Sequence, residues 1–133
     1  MTSFVLVDYE NVQPKDVSRL NGGRYKIKVF LGAKQAKLAV DMASALQALG
    51  PDAQYVRIAG DGKNALDFHI AYYIGRLAAD TPGAAFHVIS ADTGFDPLIK
   101  HLAAQNISCQ RWKLIADIPP ASGPEAGSIG RAR

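Results

Sequence analysis

Three aspartates stand where apolar runs meet polar chain. Asp8 follows Phe4-Val5-Leu6-Val7, Asp67 lies in the opening turn of the apolar segment that begins near Asn64, and Asp92 follows Phe86-His87-Val88-Ile89-Ser90-Ala91. Carboxylates gathered in one place repel each other unless a cation neutralises them. Hard divalent ions such as Mg²⁺ or Mn²⁺ bind one or two carboxylates and complete their shell with water and substrate phosphate. A divalent-metal site is the chemistry such a set would serve.

The pattern of the chain supplies the scaffold that would bring these acids together. Phe4–Val7 is a continuous apolar run ending abruptly in Asp8-Tyr9-Glu10-Asn11, as a strand buried on both faces of a parallel sheet meets its loop. Four similar runs, Lys26–Leu31, Gln54–Ile58, Phe86–Ile89 and Ile107–Trp112, predict further strands. Helical patterns fall between them: a short one after Pro14, then Leu38–Leu49, about Asn64–Ala79, and Pro97–Gln105. Gly50-Pro51 and Pro82-Gly83 punctuate the two longer helices. Such alternation predicts a mostly parallel sheet covered on both faces. Ligands of open α/β sheets bind beyond the carboxyl ends of the strands. The segments that matter most are therefore Asp8–Asn11, Gly32–Gln35, Gly60–Asn64 and Ser90–Asp96.

Each candidate also has a purely structural explanation. Asp8 and Asp92 could be solvated strand ends, but each closes a buried strand at the edge where ligands bind, which favours function. Asp67, three residues after Asn64, resembles a capping-box acid stabilised by the helix dipole. Against that, its helix is apolar around much of its circumference and begins at the ligand edge. Asp96 immediately precedes Pro97 and would serve equally as a helix N-cap. Asn11 could be an Asx-turn residue ahead of Pro14. His69 and His101 fit structural or surface roles better than metal ligation.

Composition bounds the remaining choices. A chain of 133 residues, 48% hydrophobic and 20% charged, suits one globular domain, expected over residues 1–118. From Pro119 to Arg133 the chain is rich in Pro, Gly and Ser with a basic end, and a disordered tail is expected there. No run has the length of a membrane span and the first residues lack signal-peptide features, so a cytoplasmic protein without a membrane partner is expected. The lone Cys109 sits in a strand pattern and is assigned to the core. A net charge of +3 is compatible with a polyanion partner without requiring one.

Three segments taken together, Val7-Asp8-Tyr9-Glu10-Asn11, Gly62-Lys63-Asn64-Ala65-Leu66-Asp67-Phe68 and Ile89-Ser90-Ala91-Asp92-Thr93-Gly94-Phe95-Asp96-Pro97-Leu98, resemble the PIN-like superfamily and, within it, the NYN branch of bacterial proteins. The resemblance covers about Phe4 to Trp112. It implies a three-layer α/β/α sandwich with a five-stranded parallel sheet in the order 3-2-1-4-5, and an acidic pocket that binds Mg²⁺ or Mn²⁺ and cleaves single-stranded or structured RNA. Asp8, Asp67 and Asp92 map onto the family's metal positions, with Asp96 as a fourth catalytic candidate. The expected substrate-binding set is Asn11, Lys34, Gln35, Lys63, Asn64 and Thr93. Lys34 and Gln35, with Lys37 a little further on, and Lys63 and Asn64 would take phosphates flanking the scissile bond. RNA is the expected partner, and a homodimer is compatible with the resemblance. The sequence departs from the family at Gly94, where a second acid often follows the aspartate after the fourth strand. Either Asp96 takes over that coordination, or the site has three acids and activity is weak or lost, leaving an RNA- or nucleotide-binding module.

Two other readings fit less of the chain. Gly60-Asp61-Gly62-Lys63-Asn64-Ala65 matches a dinucleotide fingerprint, but at the third strand-to-helix turn instead of the first, and without the distant acid the fingerprint needs. A phosphoacceptor receiver centred on Asp61 leaves Asp67 and Asp92 without roles.

Overall fold

A computed structural model describes residues 2–20, 24–60, 62 and 64–119. The strands are β1 (Ser3–Asp8), β2 (Tyr25–Leu31), β3 (Ala53–Arg57), β4 (Ala85–Ile89) and β5 (Ser108–Trp112). They form one sheet in the order β3-β2-β1-β4-β5, and every neighbouring pair is parallel. Three α-helices, α1 (Val40–Ala48), α2 (Ala65–Asp80) and α3 (Asp96–Ala104), connect successive strands.

Side-chain alternation along β1 explains the three layers. Phe4 and Leu6 point to one face, where they join Phe30, Phe86 and Val88 of the sheet, Leu66, Ile70 and Ile74 of α2, and Leu102 of α3. Val5 and Val7 point to the other, against Ile27, Val29, Met42 and Leu46 of α1, and Ile115. Both faces of the central strand are therefore dry, and each fully buried Val, Leu, Ile or Phe contributes about 1.5–3 kcal/mol. Phe4 and Phe86 stack with ring centroids 5.4 Å apart, tying β1 to β4 on the α2 face. Cys109 is buried in this core, and burial pushes its thiol up to about 12, so it stays a neutral packing group at physiological pH.

Local details differ from the sequence expectations at a few boundaries. The segment after Pro14 is a four-residue 3₁₀ turn, Val17–Leu20, anchored by buried Val17 and Leu20. The stretch before the helix-breaking Gly22-Gly23 is too short to propagate an α-helix. Helix α1 starts at Val40, two residues later than the periodicity suggests, and Ala39 provides no side-chain cap. The disorder expected of residues 119–133 falls, from residue 120 onward, outside the described residues.

Candidate functional site

The same alternation that builds the core delivers Asp8 to one particular face. Two positions after Leu6, it follows Phe4 and Leu6 toward α2, at the last position of β1. Its neighbour on β4 is fixed by the parallel register: Val7 pairs with Ile89, so Ser90 comes opposite Asp8, also on the α2 face two positions after Val88. Ser90 is fully buried, and its hydroxyl donates to Asp8 Oδ2 at 2.9 Å. Its oxygen in turn accepts the Asp92 N–H at 3.0 Å. One serine thus ties the β1 acid to the backbone that carries the β4 acid.

Asp92 is fixed a second time. Its Oδ1 accepts the Gly94 N–H at 2.8 Å, closing the 3₁₀ turn Thr93–Phe95 that leads into α3. A side chain at position 94 would begin 3.0 Å from that oxygen, so glycine here leaves the carboxylate its place. Asn11 joins from the β1 loop, its Oδ1 accepting the Ala91 N–H at 2.7 Å and leaving its NH₂ as donor.

Asp67 comes from the first turn of α2. Asn64 precedes that helix with a left-handed backbone, φ 66°, and makes no side-chain cap, so a capping box does not account for Asp67. The helix is held instead by His69, whose Nε2 accepts the Ala59 N–H at 3.3 Å while Nδ1 lies 2.7 Å from the Ala65 carbonyl. A neutral imidazole with its proton on Nδ1 satisfies both bonds, which gives His69 a structural role.

Asp8, Glu10, Asn11, Asn64, Leu66, Asp67 and Asp92 line one pocket of about 170 Å³ at the carboxyl ends of the strands. Four of these seven are carboxylates, and no lysine or arginine is among them. Burial, then the hydrogen bond with Asp92, then the charges of Asp8, Asp92 and Glu10 raise Asp67 to about 7. Below neutral pH it therefore holds a proton, which the hydrogen bond with Asp92 takes up, and near neutrality it is about half protonated. Asp8, 3% exposed, is also raised, chiefly by burial, although the Ser90 hydroxyl and the Asn11 N–H oppose the shift.

Among the described residues, no three His, Cys, Asp or Glu side chains converge as a ready-made metal cage. The donor chemistry nevertheless fits a hard divalent ion. The acids offer only oxygen, Asp8 has a single side-chain hydroxyl donor, and Mg²⁺ needs only one or two carboxylates with water and phosphate.

The sequence candidates divide accordingly. Asp8, Asp67, Asp92, Asn11 and Asn64 are brought together. Asp96 does not line the pocket, nor does it cap α3 with its side chain: Arg111 takes it in a two-pronged ion pair, Nε to Oδ1 at 2.8 Å and Nη2 to Oδ2 at 3.2 Å. Arg111 also donates to the Ser90 carbonyl at 3.2 Å. The fourth acid in the pocket is thus Glu10, not Asp96. Thr93 is exposed on the 3₁₀ turn outside the pocket, and Lys34 and Gln35 belong to the loop after β2. Lys63, and the Asp61 of the receiver reading, lie outside the described residues.

Glu10 and Ser90 fall within the strand-end segments singled out in the sequence, without a site role there. Ser90 had a signal, being the polar member of the alternating series Phe86, Val88, Ser90 on a core face. Glu10 had one in Gly32, because a Cβ there would lie 2.1 Å from Glu10 Oε2.

No curated protein and no solved structure matches the chain. The PIN domain matches over residues 2–112, most of the chain and every element that lines the pocket. With the parallel 3-2-1-4-5 sheet, that match establishes that the chain belongs to the PIN-domain family.

Proposed function

We propose that the chain is a divalent-metal-dependent ribonuclease that hydrolyses phosphodiester bonds in RNA at the acidic pocket. The observation that carries this reading is the charge of the site: four carboxylates line one small pocket, and one of them is raised to about 7. Asp8 and Asp92 would hold Mg²⁺ or Mn²⁺, with Asp67 and Glu10 binding it directly or through water. When bound, the ion supplies charge neutralisation and a more acidic water. Ser90 orients both Asp8 and the Asp92 backbone, so those two oxygen donors keep a fixed spacing. The NH₂ of Asn11 and the amide of Asn64 offer donors to phosphate oxygens. Asp67 holds a proton on its carboxyl until a cation replaces it.

The NYN assignment rests on the three segments Val7–Asn11, Gly62–Phe68 and Ile89–Leu98 taken together, with Gly94 as a departure. The same reading makes residues 1–118 the catalytic domain, with a cytoplasmic location where RNA is encountered. No helix among the described residues is long and apolar enough to cross a membrane. One copy of the chain is sufficient for this chemistry.

One observation favours a second reading, a binding module with weak or no catalysis. Arg111 holds Asp96, and Gly94 contributes a backbone N–H where relatives often have an acid, so neither position adds a ligand. A labelled mixed-sequence RNA incubated with purified chain in Mg²⁺, Mn²⁺ or EDTA separates the two. The nuclease reading expects metal-dependent cutting that Asp8→Asn and Asp92→Asn each reduce by about 10²–10³-fold. Inert wild type with both metals over several RNAs leaves the binding module.

A further inference from the structure

A second pocket lies at the same carboxyl end of the sheet, on the α1 face, and has the opposite character. It measures about 370 Å³ and is lined by Leu31, Gln35, Ala36, Lys37, Leu38, Tyr55 and Arg57, with no carboxylate among them. It sits at the carboxyl ends of β2 and the edge strand β3, where Leu31 and Arg57 pair in register. Gly32, the residue after β2, lies under the Glu10 carboxylate of the acidic pocket, so the chain passes from the lining of one pocket to that of the other at the end of β2.

This second pocket has a fixed wall. Arg57 Nη1 donates to the carbonyls of Gly32, Ala33 and Gln35 at 3.2, 3.2 and 2.9 Å, drawing the loop after β2 around the guanidinium. Gln35 closes the turn, its N–H donating to the Gly32 carbonyl at 3.0 Å and its Nε2 to the Lys37 carbonyl at 2.7 Å. Tyr55 is 47% exposed on the edge strand, a large aromatic ring open to solvent beside a planar guanidinium. Leu31 and Leu38 supply apolar surface, and Lys37 is exposed.

An aromatic ring next to arginine, above an apolar floor and beside a lysine, is what a nucleobase with its phosphate requires. The volume lies within the range of about 300–1,000 Å³ that small ligands occupy. A duplex cannot use such a pocket, since its bases are stacked on one another. We infer that Tyr55, Arg57, Gln35 and Lys37 form a subsite for one unpaired base of single-stranded RNA, next to the phosphate held at the acidic pocket. Tyr55 stacks on the base and Lys37 takes an adjoining phosphate. The inference deepens the ribonuclease reading and rests on it for the neighbouring phosphate. It also makes the preferred substrate single-stranded.

The test is fluorescence anisotropy with the full chain in EDTA at low ionic strength, where no cleavage occurs, using a labelled single-stranded RNA and the same sequence as a blunt duplex. Wild type is expected to bind the single strand at least about tenfold more tightly than the duplex. Tyr55→Ala should weaken single-strand binding by about five- to hundredfold, the range contributed by one stacked base. Tyr55→Phe should restore it, and Lys37→Ala should lower the salt dependence by about one ion. Thermal melts verify that each variant is folded. Equal binding by wild type and Tyr55→Ala, equal affinity for duplex, no binding by wild type, or loss of self-association instead of RNA binding in Tyr55→Ala each overturns the subsite. The two readings fail separately: a chain that binds as described but never cuts refutes the nuclease alone, and one that cuts without dependence on Tyr55 refutes the subsite alone.

Discussion

The two ends of the sheet handle charge in opposite ways. Where the strands finish, Asp8, Glu10, Asp67 and Asp92 line a pocket without a lysine or arginine. Where β1, β2 and β3 begin, beside the end of α2, a cavity of about 320 Å³ mixes Lys26 and Lys28 with Asp52 and Asp80. There the Lys28 ammonium donates to Gln54, and Asp80 has Arg76 at 3.9 Å. Among the described residues lining the two cavities, cations stand with the acids at the amino end and not at the carboxyl end. Unbalanced buried charge lowers stability, and such departures from local consistency are expected where function requires them. The acids at the amino end have cations beside them, and the proposed function would give those at the carboxyl end a divalent ion.

Ser90→Ala should sharpen this contrast most. It keeps all four carboxylates but removes the hydroxyl that fixes Asp8 and the acceptor for the Asp92 N–H. A fall in kcat/KM for RNA of about 10–100-fold is expected, the usual effect of losing a group that orients a ligand. Asp80→Asn, at the other end, should leave kcat/KM unchanged; steady-state cleavage assays on both variants check the pair.

The second effect is on stability. Asp67 is raised from 3.8 to about 7 in the folded chain, so folding tightens its hold on that proton. Its stabilising contribution is complete below the unfolded value, near 3.8, and is lost as pH rises through about 7. Asp8, raised chiefly by burial, acts in the same sense. Metal-free wild type should consequently melt at a lower temperature at about pH 8 than at about pH 5. Asp67→Asn should flatten that dependence and melt above wild type at about pH 8 even though it cuts RNA poorly. A steeper loss in Asp67→Asn than in wild type would break the comparison.

Smallest of all should be Asp96→Asn. The Asp96 side chain is 51% exposed and paired with Arg111, so solvent screens the ion pair and its loss should barely change the melting temperature. Cleavage should persist, and a drop as large as that of Ser90→Ala would return Asp96 to the site.

Much of this was legible in the sequence because buried parallel strands announce themselves. Phe4–Val7 and Phe86–Ile89 are apolar without interruption, and the acids that follow stand out against them. The strand order itself came from resemblance, since nothing in the spacing says which strands are neighbours. Register was the missing information at the site. Asp96 could be read equally as a site acid or a helix N-cap until β5 brought Arg111 to its side, a contact between residues 15 apart. Ser90 gained its role from an oxygen 82 residues away. Tyr55 and Arg57 read simply as members of an edge strand, because the loop they face is closed by hydrogen bonds to backbone carbonyls, which leave no trace in side-chain patterning.

The central claim is that the four acids lining one pocket are gathered there to take a divalent ion. The most direct test is calorimetric titration of Mn²⁺ into metal-free wild type and into the Asp8→Asn/Asp92→Asn double variant near neutral pH, repeated in buffers of different ionisation enthalpy. The account predicts saturable binding by wild type with release of protons, as Asp67 gives up the one it holds, and neither signal in the variant. Identical titrations for the two proteins, or no binding by wild type, would contradict it.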